Sequence, residues 1–241
     1  QILYYILIDN TMTIKSLIFD LNDTLDNTNE AIIRAFEMVL KKHFPTIAQD
    51  KIQKFAEELM VFFWQTDKLA DLSHPEWTME DIIGHCVKKW SDSEALEIDT
   101  GNFARDYNAI RKQFLIIKPE MVKLIKDLPS HLLKFIISQG NSKDDITNLL
   151  QQSHLSESDF TEIISTRLFK EENKPSINIL KYILKKYSLK PEECLMIGDD
   201  VCADLMPAKT LGMRTILISN YVDELSVDDS QLLSLIKKYL G

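Results

Sequence analysis

Four short polar clusters in this chain could do chemistry together. The first is Asp20-Leu21-Asn22-Asp23-Thr24-Leu25, directly after the apolar run IKSLIF. A carboxylate at a strand end, backed by small polar residues, can serve as a nucleophile or as a ligand for a hard cation; a helix-capping turn explains the same residues equally well. The second is Ser138-Gln139-Gly140-Asn141, where a hydroxyl and backbone N–H groups suit phosphate oxygens and a plain turn is the simpler alternative. The third, Asn173-Lys174-Pro175, sets an ammonium before a long helix, a position suited to phosphate or to ordinary solvation. The fourth is Gly198-Asp199-Asp200 with Asp204 a turn later. Carboxylates crowded at a strand end repel one another unless a cation sits among them, and oxygen ligands of this kind suit Mg²⁺.

The elements that must position these clusters follow from periodicity. Residues 14–19 read as a buried strand. From 28 to 115 the pattern is helical throughout, with apolar stripes over 29–43 (Ile32, Ile33, Phe36, Val39, Leu40) and 50–65 (Phe55, Leu59, Phe62, Phe63), and further helices over 78–90 and 102–115. Strand and helix then alternate: helix 121–128, strand 132–138, helix 144–152, strand 162–165, helix 176–188, strand 194–198, helix 203–212, strand 214–219 and a C-terminal helix. The inward stripe of 176–188 is expected to be Ile177, Leu180, Ile183, Leu184 and Tyr187. Such alternation predicts an α/β fold with a doubly wound parallel sheet, and each polar cluster falls after a strand, where these sheets carry ligands.

Taken in order, the four clusters resemble the four motifs of haloacid dehalogenase (HAD) superfamily hydrolases. FDLNDTLDNT resembles the first motif, usually DxDGTL; Ser138 matches the second, Lys174-Pro175 the third, and GDD with Asp204 the fourth. LKPEECLMIGDDVCADLMPAKTLGM is similar to that family without a break, and the resemblance covers roughly 14–28 and 117–220. It implies a Rossmann-like core over 12–27 and 116–241, with 28–115 as a helical cap of the C1 type. It implies that Asp20 attacks phosphorus and forms an aspartyl-phosphate. Mg²⁺ would be held by the Asp20 carboxylate, the backbone carbonyl of Asn22 and Asp199. Asp204 would join the metal site by orienting Lys174 or a bound water, with Asp200 as an alternative participant. Ser138, Gln139 and Lys174 would hold the phosphoryl oxygens. Hinges for cap movement are expected near 25–28 and 114–119.

One residue departs from the pattern. Phosphatases of the superfamily carry a second Asp two residues after the nucleophile as general acid and base; here that position is Asn22. An amide neither donates nor accepts that proton usefully. Asp23, at a position most often held by Gly, is the local substitute, although its side chain should project elsewhere. Three readings stay open: a Mg²⁺-dependent phosphohydrolase of a small phosphorylated metabolite with an atypical acid/base position; a weak or inactive relative that binds a phosphorylated ligand or a protein; and a 2-haloacid dehalogenase, which the acidic fourth cluster disfavours.

Bulk properties narrow the setting. A formal net charge of −9 argues against nucleic acid and weakly against an anionic membrane. Three cysteines, Cys86, Cys194 and Cys202, are widely spaced and form no CxxC, as expected of a reducing, cytoplasmic compartment. The apolar stretch before Met12 is too short to span a bilayer and makes a poor signal peptide, so 1–11 reads as an extension outside the catalytic unit. His43, His74, His85, His131 and His154 show no catalytic grouping, and Trp64, Trp77 and Trp90 read as packing residues of the cap. Neither substrate nor oligomeric state is legible.

Overall fold

The computed structural model describes residues 13–73, 77–94, 96–139, 141–165, 177–218 and 236, apart from the side chains of 68–72. Two compact units result: one runs to Asp26 and resumes at Ile116, and the other is Asn27–Leu115.

The first unit is built on five parallel strands: β1 (Ser16–Asp20), β2 (Leu133–Ser138), β3 (Glu162–Ser165), β4 (Cys194–Gly198) and β5 (Arg214–Leu217), in the order β3-β2-β1-β4-β5. β1 is buried along its whole length. It lies between β2 and β4 and is covered on both faces, which is why it reads as a continuous apolar run and not as an alternation. Chain order reverses at β1: β2 and β3 build outward on one side, β4 and β5 on the other. Right-handed crossovers then put helices on opposite faces and open a crevice at the strand ends. This is the doubly wound α/β sheet that the periodicity predicts.

Its described helices are α5 (Pro119–Asp127), α6 (Lys143–Gln152), α7 (Asn178–Lys186) and α8 (Met206–Leu211), here numbered after the four of the other unit. On α7 the buried residues are Ile179, Leu180 and Ile183, while Ile177, Leu184 and Tyr187 are only half-buried. Leu180, Ile183, Leu184 and Tyr187 face the core as expected; Ile177 does not belong to the stripe because it caps the helix, which begins at Asn178, and Ile179 is buried in addition. The expected helix over 203–212 begins instead as a π-turn, Val201–Leu205, for a reason that belongs to the site. The expected extension 1–11 and, Ile236 aside, the C-terminal helix lie outside the described residues.

The second unit is helical: α1 (Thr28–His43), α2 (Gln49–Ser73), α3 (Met79–Ser93) and α4 (Thr100–Phe114). Phe36, Phe55, Leu59, Trp90, Phe103 and Tyr107 form its buried centre. The rings of Phe36 and Tyr107 stand 4.5 Å apart, and Phe55 meets Trp90 edge-on at 5.0 Å. Trp90 is fully buried, whereas Trp64 and Trp77 pack partly buried against this centre. Thr78 opens α3 with a reciprocal capping box to Asp81. α2 continues to Ser73, past the apolar pattern that ends at 65. Among the described residues no helix is long and apolar enough to cross a membrane.

Candidate active site

Strand register brings the polar clusters to one edge. Asp20 stands level with Ile137, Phe19 with Ile197, and Ser138 with Ser165. Asp20, Ser138, Ser165 and Gly198 therefore all emerge at the C-terminal ends of neighbouring strands.

Three carboxylates converge there. Asp20, Asp199 and Asp204 each offer an oxygen within 4.8 Å of the other two, with Asp20 and Asp204 buried and Asp199 exposed. Local backbone design makes this possible. The Asp200 carboxylate caps the following turn, accepting from the N–H groups of Cys202 and Ala203 at 2.7 and 2.9 Å. The turn then widens to a π-helix, a rare geometry that recurs at functional sites. It folds Asp204 back over Gly198: a Cβ built on Gly198 would lie only 2.6 Å from the Asp204 Cβ. Asp200 thus serves the backbone, while Asp204 joins the cluster. Thr24, fully buried, donates its hydroxyl to Asp199 Oδ1 at 3.3 Å and restrains the exposed member.

The loop after β1 is tightly specified. Asp23 has φ of +54°, the left-handed region that glycine enters freely and Asp or Asn tolerate better than other residues. That conformation is the physical reason a glycine suits this position. The Asp23 N–H donates to Asp26 Oδ1 at 2.9 Å, and its carbonyl accepts from the Lys118 ammonium at 2.8 Å. Lys118 is buried, and its own N–H donates to the Leu25 carbonyl at 2.9 Å. The loop after β1 is therefore tied to the start of α5.

Asn22 is half-buried in this loop, and its Oδ1 accepts from Asn141 Nδ2 at 3.1 Å. The same amide nitrogen donates to Ser138 Oγ at 3.0 Å. Ser165 Oγ donates to the Asn141 carbonyl at 2.5 Å, and Ser142 opens α6 with a capping box to Asp145. Asn141 is thereby fixed by β3 and by a helix start, and links the ends of β1 and β2. Gln139 follows Ser138, half-buried. Lys174 lies outside the described residues.

No sequence signal assigns a role to Thr24, Lys118 or Asn141. Thr24 and Asn141 sit inside the quoted clusters, but their roles depend on partners far along the chain. Lys118, directly before Pro119, carries no signal of its own beyond a cation in an apolar stretch.

Fold and site together define the class: a Rossmann-like α/β protein with an acidic centre at its topological switch point and a helical insert after its first strand. The chain belongs to the haloacid dehalogenase-like hydrolase family, which matches it over residues 17–218. It is 27% identical over 215 residues to a glyceraldehyde 3-phosphate phosphatase of Pyrococcus furiosus, covering 84% of this chain and 80% of that protein. It is 26% identical over 209 residues to the pyrophosphatase PpaX of Bacillus cereus, covering 86% and 84%. Among solved structures it resembles YfnB of Bacillus subtilis, described as a HAD hydrolase bound to magnesium, with a TM-score of 0.72 at 16% identity, covering 93% of this chain and 99% of that one. An L-2-haloacid dehalogenase of Xanthobacter autotrophicus has a TM-score of 0.64 at 17% identity, covering 95% and 85%.

Proposed function

We propose that the chain is a Mg²⁺-dependent phosphohydrolase acting on a small phosphorylated metabolite through an aspartyl-phosphate on Asp20, handicapped at its acid/base position by Asn22. The observation that carries this reading is the convergence of Asp20, Asp199 and Asp204 beside the Ser138 hydroxyl end of β2. Three like charges this close repel one another unless a cation is held among them, and hard oxygen donors suit Mg²⁺. Asp20, Asp199 and Asp204, with the backbone carbonyl of Asn22, are the residues that would hold it. When bound, it would neutralise charge on the phosphoryl group.

The residues of the chain do the rest. An Asp20 oxygen forms a bond to phosphorus as the bond to the leaving oxygen breaks, and that oxygen departs with the electron pair. Water then attacks the aspartyl-phosphate, loses its proton to solvent, releases phosphate and restores Asp20. Ser138, Gln139 and Lys174 hold the phosphoryl oxygens and offset developing charge. In this reading the helical unit of 28–115 is the cap that selects the substrate and closes over it, with hinges at 25–28 and 114–119. Phosphatase relatives of similar length support the phosphoester class. The acidic cluster weighs against the dehalogenase reading, in which no cation would offset it.

The test is a phosphate-release screen across aryl, acyl, sugar and alcohol phosphates, with and without Mg²⁺ and with Asp20→Asn as control. Mg²⁺-dependent release that Asp20→Asn abolishes supports the proposal. Release from no ester would favour a protein that binds phosphorylated ligands without turning them over.

A further inference from the structure

Asn141 can settle which way the hydrogen-bond donors of the site face. Its side-chain nitrogen carries two N–H bonds, and two acceptors stand within reach: Asn22 Oδ1 at 3.1 Å and Ser138 Oγ at 3.0 Å. Both protons are spent on these partners. Two consequences follow for the neighbours. Asn22, accepting through Oδ1, has its own NH₂ turned away from Asn141. Ser138, accepting through Oγ, keeps its O–H free to donate. The opposite arrangement, with Asn141 Oδ1 facing both residues, would draw the Ser138 O–H and the Asn22 NH₂ inward and turn acceptors outward. A phosphoryl group offers acceptors only, so an anion at the strand ends favours the first arrangement. The backbone of Asn141 is meanwhile pinned by Ser165 and by the capping box of Ser142.

We propose that Asn141 is a positioning residue that fixes the polarity of Asn22 and Ser138, so that position 22 presents a fixed N–H donor to the leaving-group oxygen in place of a transferable proton. This rests on the phosphohydrolase reading and adds a substrate class to it. The leaving oxygen departs as an anion steadied by the Asn22 amide and takes its proton from solvent afterwards. Esters of weakly basic leaving groups, such as aryl and acyl phosphates, fit such a site.

The experiment compares the wild type with Asn141→Asp, Asn141→Ala and Asn141→Gln, using orthovanadate with Mg²⁺ as the binding probe and a series of aryl phosphates of graded leaving-group pKa as substrates. Circular dichroism and thermal melts check that each variant is folded. Asn141→Asp keeps the shape but only accepts, so it should draw both donors inward. The expected result is vanadate binding weakened about tenfold or more in Asn141→Asp, with kcat falling more than KM rises and a steeper dependence on leaving-group pKa, as befits loss of a charge-assisted hydrogen bond. Asn141→Ala should fall between Asp and wild type, and Asn141→Gln should recover part of the loss. Side-chain amide NMR gives a second reading: vanadate should shift the Asn22 NH₂ resonances strongly. Equal vanadate affinity and an unchanged leaving-group slope in folded Asn141→Asp would overturn the inference, as would unmoved Asn22 amide protons. A wild type that binds vanadate with these Asn22 shifts but hydrolyses no ester would refute the phosphohydrolase reading and leave the polarity assignment standing. A wild type that does neither refutes both.

Discussion

Gly198 and Asp204 occupy positions that exclude any side chain on the glycine: a Cβ there would meet the Asp204 Cβ at 2.6 Å. The π-turn Val201–Leu205 carries Asp204 back over the strand end. Gly198→Ala should therefore displace Asp204 and break the carboxylate cluster, at a cost of about 1–3 kcal/mol typical of overpacking. Millimolar Mg²⁺ should raise the melting temperature of the wild type through binding to the folded state, and do so less for Gly198→Ala and Asp199→Ala. Equal Mg²⁺ shifts in all three proteins would contradict the metal assignment.

The loop after β1 offers a conformational test. At φ of +54°, Asp23→Gly should be tolerated, while Asp23→Val should lose roughly 1–2 kcal/mol from the steric cost of a left-handed backbone. Lys118→Met removes the ammonium that the Asp23 carbonyl accepts from, and should cost about 1–3 kcal/mol because the bond is buried. Urea unfolding of the three variants measures both effects. A Val variant as stable as the Gly variant would refute the strain argument.

In the helical unit, Asp106 accepts from Lys42 at 2.6 Å and pairs with His43 at 2.9 Å. The Lys42 bond, then that of His43, holds its carboxyl below the usual range. A depressed carboxylate stabilises the folded state above its unfolded pKa, and that contribution fades as pH falls through the folded value. Asp106→Asn should thus be less stable than wild type near neutral pH, by no more than about 1 kcal/mol given solvent screening. The gap should close as the pH drops below the ordinary carboxylate range. A gap that widens in acid would reverse the assigned sign.

Thiol chemistry probes burial independently. Cys86 and Cys194 are buried, and burial pushes their thiols up to about 12 and about 11. Cys202 is exposed. Ellman's reagent should modify one thiol rapidly in the native protein and all three after denaturation, with Cys202→Ser removing the fast phase. Rapid reaction of Cys86 would show the helical core to be looser than described.

Much of the α/β layout could be read from periodicity because buried parallel strands such as β1 and β4 are short apolar runs that end in polar turns. The grouping of Asp20, Asp199 and Asp204 is what the family resemblance of their motifs implies, and the structure brings the three carboxylates together. What escaped the sequence depends on backbone shape or on distant contacts. The π-turn has no compositional marker, so 203–212 reads as plain helix. That Ile177 caps α7 while Ile179 is buried reflects where the helix starts, which an apolar pattern alone does not define. Asn141 joins Asn22 across 119 residues of sequence, and Thr24 joins Asp199 across 175, so neither link has a local signature.

The role proposed for Asn22, a fixed hydrogen bond in place of a transferable proton, is tested by one paired assay. Wild type and Asn22→Asp are compared on one aryl and one alkyl phosphate, with Asp20→Asn as the inactive control. General acid–base help is worth about 10²–10⁴ in rate, and an alkoxide needs it far more than a phenolate. Restoring the carboxyl should raise turnover of the alkyl ester by at least tenfold more than turnover of the aryl ester, and the wild type should accumulate the aspartyl-phosphate on rapid quenching. A wild type that already hydrolyses the alkyl ester as fast as Asn22→Asp would rule out this role for Asn22, and the proton would then have to come from Asp23 or from the substrate itself.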